Sequence, residues 1–299
     1  MRSKTQRNVF ILLAMLALCG SLLLGKQAWA TEGGGGAYPN GAEDFMSGAV
    51  PPPGTYFINY FDYYSANRFK GNDGNNLFPF SLDVYANTFR LIHITDKQVL
   101  GGFWGMHIFI PLVKMDVHNS PGGRDSKEGL GDMIVDPVIL SWHGKNWHVA
   151  TGVDIYCPTG EYDKKRAANI GRNYWTFEPI VAGTFISDNG YEVSAKFMYD
   201  FNTRNDDSGY RSGQEFHVDY TLGKKIGNLS LGVGGYYYQQ TTDDDAAARK
   251  LEKGMTVSVG PQLKYDYKNM SLAVKYLFEV DTYNRPEGNN LWAKFTYAF

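Results

Sequence analysis

Ionisable residues recur at spacings of two or four through the C-terminal half of this chain: Glu192, Lys196 and Asp200; Glu215, His217 and Asp219; Lys264 and Asp266; Lys275, Glu279 and Asp281; and Lys294. Such spacing puts side chains on one face of an extended strand. Gathered around a hydrated space, charges of both signs would line a solute path and set its field. The structural alternative is that they pair across the space and hold its wall together. Either way the face must be wet, because a basic side chain turned to lipid at mid-depth costs about 2–4 kcal/mol. Tyr236, Tyr237, Tyr238, Gln239 and Gln240 end one such stretch just before a long connection. A ring-rich mouth there would stack an aromatic solute; plain loop packing is the competing assignment. The candidate solute-contacting residues are therefore Tyr236, Tyr237, Tyr238, Gln240, Glu192, Lys196, Asp200, Glu215, His217, Asp219, Lys264, Lys275, Glu279 and Lys294.

Other constellations carry less chemistry. Asp243, Asp244 and Asp245 are acidic enough for a hard cation or for bridging lipopolysaccharide through one. No Gly or Glu follows at the spacing of a calcium loop, so a solvated charge run is expected. His143 and His148 flank a short turn and do not share a helix face, so no metal is assigned to them. His118, Asn119 and Ser120 contain a base and a hydroxyl, the parts of a lipid hydrolase. They fall in a Pro-Gly-Gly loop, however, and catalysis needs the base within hydrogen-bond reach of the nucleophile. The glycines at 131, 160, 171, 232, 234 and 235 form no phosphate cradle and are expected to relieve crowding or make turns. No catalytic residue, metal or cofactor is assigned, and the chain is read as a non-enzyme.

The elements that must position these residues alternate apolar and polar side chains. Leu291, Ala293, Phe295, Tyr297 and Phe299 oppose Trp292, Lys294, Thr296 and Ala298; Leu272, Val274, Tyr276, Phe278 and Val280 oppose Lys275, Glu279 and Asp281. Period-two alternation predicts strands with two different environments. Twelve are expected, over about 54–64, 78–95, 101–116, 130–142, 146–156, 174–187, 190–201, 213–225, 229–241, 254–267, 270–283 and 289–299. Pro137 and Pro179 mark a bulge or break in two of them. Short connections alternate with longer ones, and strands of ten or more residues match the ~9–11 needed to span a bilayer. Tyr, Trp and Phe crowd the strand ends. These features favour an all-β, antiparallel transmembrane β-barrel of about 12 strands over a soluble sandwich with its apolar face inward. An even strand number returns Phe299 to the side from which the barrel starts.

Composition bounds the rest. Of 299 residues, 15% are aromatic and 20% charged, with a mean hydropathy of −0.35. That average excludes a bundle of apolar helices and leaves a barrel open. Arg2, Lys4 and Arg7 precede the apolar run from Val9 to Leu24, and Ala28-Trp29-Ala30 supplies small residues at the two cleavage-reading positions. Residues 1–30 are thus expected to be a signal peptide cut before Thr31. Beyond them 25 basic residues face 31 acidic ones, a net charge of −6 with no basic stripe, which disfavours nucleic acid. Cys157 is the one remaining cysteine, so no internal disulfide can form. Residues 31–53, with Gly33–Gly36 and Pro51–Pro53, read as an irregular leader, either a plug for the barrel of residues 54–299 or a tether.

Several motifs in order carry a family resemblance: Asp44-Phe45, Gly48 and Pro51-Pro52-Pro53-Gly54-Thr55-Tyr56; Gly129-Leu130-Gly131-Asp132 leading to Leu140-Ser141-Trp142-His143; Pro158-Thr159-Gly160-Glu161-Tyr162; Gly171-Arg172-Asn173-Tyr174-Trp175-Thr176-Phe177-Glu178-Pro179; Gly232-Val233-Gly234-Gly235 before the tyrosines; and Gly260-Pro261. Over about residues 37–299 the chain resembles the phenol meta-pathway degradation protein family of outer-membrane transporters. The resemblance implies location in a bacterial outer membrane and passive uptake of a small, aromatic or hydrophobic solute. It supplies no set of binding residues. A monomer is expected, with outer-membrane lipid and lipopolysaccharide as surroundings and the barrel-assembly machinery engaging the C-terminal strand that ends at Phe299. The alternatives are an outer-membrane lipid hydrolase and a non-conducting structural barrel.

Overall fold

Long period-two stretches joined by turn residues leave the backbone no local way to satisfy its N–H and C=O groups, so strand must pair with strand until no edge is left. The computed structural model describes residues 32–119, 123–245 and 252–299 of the chain; the expected signal segment and Ser120 lie outside them. Within them, thirteen strands run Gly54–Lys70 (β1), Asn76–Val99 (β2), Gly102–Asn119 (β3), Gly123–Leu130 (β4), Met133–His143 (β5), Trp147–Cys157 (β6), Thr176–Ile186 (β7), Tyr191–Asn202 (β8), Glu215–Ile226 (β9), Leu229–Gln240 (β10), Met255–Tyr267 (β11), Met270–Tyr283 (β12) and Pro286–Ala298 (β13). Each pairs antiparallel with its neighbour, and β1 pairs with β13 to close the cylinder.

The thirteenth strand comes from a division. β3 pairs with β4 over Leu112–Asn119 and with β5 over Phe103–Phe109. Thus β4 and β5 share one place in the wall, interrupted at Gly131-Asp132, and the result is a closed 12-strand antiparallel barrel with one extra strand. Of the stretch 117–129, expected as a loop, the described residues 117–119 and 123–129 are paired strand. Likewise the expected 65–77 loop shrinks to Gly71–Asn75, because β1 and β2 continue upward. Ring stacking of Phe69 on Phe78 supports this extension. The Pro137 bulge is present as a register shift between Val135 and Leu140, where Asp136 accepts from the N–H groups of Val138 and Val153 at 2.7 and 2.9 Å. Pro179 sits in register opposite Val153 without a shift.

Orientation follows from exposure. On β12, Leu272, Val274 and Phe278 are 38–47% exposed, whereas Ala273, Lys275 and Leu277 between them are 1–4% exposed. On β8, Val193, Phe197 and Phe201 look out, while Glu192, Ser194, Lys196 and Asp200 are buried. Apolar side chains therefore face outward and ionisable ones inward, the arrangement of a membrane barrel and the inverse of a soluble sandwich. One expectation on this face changes. A register shift opposite Val257 and Ser258 turns Asp281 to the exposed side, so it leaves the row of Lys275 and Glu279. The extra residue of a bulge reverses which face the next side chains occupy.

Candidate functional site

Residues 32–53 lie against the inward faces of the strands, so the lumen is the place where the chain's polar chemistry meets. The leader runs from the long-loop end towards the start of β1. At the loop end, Glu32 accepts from the Tyr162 hydroxyl at 2.8 Å and from Asn205 at 3.0 Å. Further down, the Tyr38 hydroxyl donates to Asp219 at 2.6 Å, and the Gly41 and Glu43 amides donate to the same carboxylate. Asp44 pairs with Lys294 at 2.9 Å; Glu43 lies 3.7 Å from Lys294 and 4.0 Å from Arg90. The Lys275 ammonium donates to the Glu43 carbonyl at 2.5 Å. Near the short-turn end, the Met46 amide donates to Glu192 at 2.6 Å and the Gly48 amide to Thr184 at 3.0 Å.

Glycines on the wall make room for this segment. Gly223 and Gly232 form a cross-strand pair beneath the Phe45 ring. A Cβ on Gly223 would meet that ring at 2.5 Å, closer than packed atoms approach. The expectation that Gly232 relieves crowding thus acquires an object, the leader's Phe45.

The candidate residues divide by strand parity. Tyr236 and Tyr238 are buried inward: the Tyr236 hydroxyl donates to Glu279 at 2.5 Å, and the Tyr238 ring meets His217 and Arg285. Tyr237, between them, turns to the opposite face, where it lies edge-on to Phe216; the three rings do not form one mouth. Gln240 is buried at the base of the following loop and donates to Asp244 at 2.8 Å. Lys196 lies 3.4 Å from Asp154 and 3.9 Å from Glu178. Lys264 pairs with Asp266 at 3.0 Å near the short turns. Lys275, Lys294, Asp219 and Glu192 all contact the leader, as described.

Two buried histidine clusters sit on the wall. In the first, His107 Nε2 is 2.8 Å from Asp154 and Nδ1 is 2.8 Å from Arg90. Arg90 can only donate, so Nδ1 accepts and Nε2–H donates. In the second, Asp200 and Glu215 stand directly opposite each other on β8 and β9, with His217 two residues along on the same face. His107, Arg90, Asp136, Asp154 and Glu178 were not among the sequence candidates. The strands of Asp136 and Glu178 alternate poorly in sequence, whereas the inward parity of Gly105, His107 and Phe109 was a usable signal. The leader's Tyr38, Glu43 and Asp44 were also missed; an acidic pair in a segment facing three inward lysines was the available clue.

The loops add anchors of their own. Arg166 pairs with Asp125 on the β4 hairpin, and the Ala167 and Ala168 amides donate to it. The Arg166 guanidinium and these amides hold the Asp125 carboxyl at about 2. Burial pushes Asp244 the other way, to about 6, despite hydrogen bonds from Tyr210, Gly213 and Gln240. His118 lies on the rising part of β3; its expected partner Ser120 is outside the described residues.

Comparison with known proteins agrees with this architecture. The family described as "Putative MetA-pathway of phenol degradation" matches residues 66–295. No curated protein sequence matches the chain. Among solved structures, an outer membrane channel from Pseudomonas putida F1 superposes with a TM-score of 0.73 at 17% identity, covering 85% of this chain and 98% of that one. The transport unit of the Escherichia coli autotransporter AIDA-I gives 0.51 at 12% identity over 85% and 94%. The β domain of the Bordetella autotransporter BrkA gives 0.50 at 12% over 83% and 100%. At these identities the likeness is one of fold, that of outer-membrane β-barrels.

Proposed function

The chain belongs to this phenol-degradation family, and on that footing we propose that it is an outer-membrane channel for passive uptake of a small aromatic or hydrophobic solute, with residues 32–53 as its plug. The observation that carries the reading is the leader's mode of attachment. Its contacts with the wall are bonds to side chains, ion pairs and ring packing, and among the described residues no strand of the barrel pairs with it. It can therefore leave without breaking a single rung of the cylinder. Withdrawal would uncover Tyr60, Tyr156, Tyr236 and Trp292, buried rings that surround the leader's course. Rings interleaved with charges suit a solute with an aromatic body and a polar tip. Nothing in the reading needs an energy source, since the solute moves down its gradient. At the other end, β13 stops at Ala298 and leaves Phe299 79% exposed, available to the barrel-assembly machinery.

Entry of radiolabelled phenol into proteoliposomes tests the proposal. The full chain is expected to speed entry over protein-free liposomes. Tyr236→Ala and Tyr238→Ala should alter the rate, whereas Tyr237→Ala, on the opposite face, should leave it unchanged. Rates equal to protein-free liposomes, with and without residues 32–53, would contradict a channel and favour a structural barrel.

A further inference from the structure

The cluster of Asp200, Glu215 and His217 is incomplete as the protein alone builds it. All three side chains are fully buried. Two carboxylates stand directly opposite on neighbouring strands, an arrangement that destabilises a sheet unless a cation intervenes. Among the described residues, both oxygens of Asp200, both of Glu215 and Nε2 of His217 have no hydrogen-bond partner. A third acid, Glu178, adjoins Asp200 and adds like-charge repulsion to the group. Its nearest cation, Lys196, is bound closer to Asp154.

The distances discriminate between a proton and a metal. His217 Nε2 lies 3.3 Å from Asp200 Oδ2 and 3.4 Å from Glu215 Oε2. A charged imidazole bonded to a carboxylate closes to about 2.7–2.9 Å. Two donors each about 2.0–2.1 Å from one tetrahedral ion stand about 3.3–3.4 Å apart. The ring is also prepared as metal-binding histidines are. His217 Nδ1 is 2.7 Å from Asn40 Oδ1, which accepts the Nδ1 proton and leaves the Nε2 lone pair aimed at the carboxylates. We propose that Asp200, Glu215 and His217 bind one divalent first-row metal ion of the Zn²⁺ class. One imidazole and two carboxylates suit such an ion better than Ca²⁺, which takes six to eight oxygens. The ion neutralises the opposed acids and ties its occupancy to the leader through Asn40. The ligands all belong to the wall, so the site does not depend on the leader's acting as a plug.

The test uses the full chain in detergent, stripped with a chelator and titrated with Zn²⁺, and with Co²⁺ for its visible absorption. One ion per chain is expected, with a tetrahedral Co²⁺ spectrum. Asp200→Asn and Glu215→Gln preserve shape and should each weaken binding at least tenfold. Asn40→Ala removes no ligand and should weaken it about 10–100-fold. His107→Gln, in the other cluster, should bind as the parent does. Far less than one ion per chain would overturn the proposal. So would parent-like binding by both Asp200→Asn and Glu215→Gln, or binding that disappears with His143→Ala at the exposed turn. Because no transport is measured, these outcomes are separate from those that bear on the channel.

Discussion

The two buried histidine clusters of the barrel wall are made from the same parts and solve opposite problems. Around His107 every charge has a partner: Arg90 on one ring nitrogen, Asp154 on the other, Lys196 beyond it, and Asp136 spent on two backbone amides. Around His217 two acids meet head-on with one imidazole and, among the described residues, no cation between them. A buried charge is tolerable when paired and costly when stranded. The difference teaches that polarity of the lumen face is one property and saturation another. The first cluster is saturated by its own neighbours; the second sets two like charges face to face beside the leader's Asn40.

The sharpest way to break this comparison is to remove one acid from each. Asp154→Ala takes the nearer acid from Lys196, leaving Glu178 at 3.9 Å, and the acceptor from His107 Nε2–H, and is expected to lower stability by about 3–5 kcal/mol. Asp200→Asn, in chelator-treated protein, relieves an acid pair and should be neutral or stabilising. Urea unfolding of both variants in lipid decides; equal losses would erase the distinction. A smaller effect is expected at the leader. Glu43→Gln weakens its hold on Arg90 and Lys294 while Asp44 still serves Lys294, a loss of about 1–3 kcal/mol. Increased protease cleavage within residues 32–53 would register it.

The smallest effects lie in the loops, where pH sharpens the same contrast between paired and unpaired acids. Asp125 is held low, at about 2, so its contribution is present above the ordinary aspartate range and is lost as pH falls through 2. Asp244 is raised to about 6, so its contribution is full below the ordinary range and is lost as pH rises through 6. Hydrogen exchange, corrected for intrinsic rate, should show Ala167 and Ala168 losing protection in acid and Gly213 losing it above pH 6.

Most of the barrel was legible because a two-faced strand writes its environment into alternate residues. Strands β8 to β13 fall within three residues of the expected limits for that reason. Alternation is blind to the ends of β1 to β4, where the strands run on past the expected limits with loop residues such as Arg166 packed against β4. It also fails at bulges, which is why Asp281 was placed on the wrong face. Of the candidate residues, those on regular strands turn inward and Tyr237 does not, as a run of three tyrosines in a strand requires. The leader's partners were illegible because its contacts join residues up to 250 positions apart (Asp44 with Lys294, for example) and no local pattern encodes them.

Single-channel conductance in planar bilayers tests the central claim, that a polar lumen is filled by its own N-terminal segment. The full chain should conduct little, with brief openings, and the chain lacking residues 32–53 should open to a larger, steady level. Identical conductance from the two, or silence from both, would contradict it.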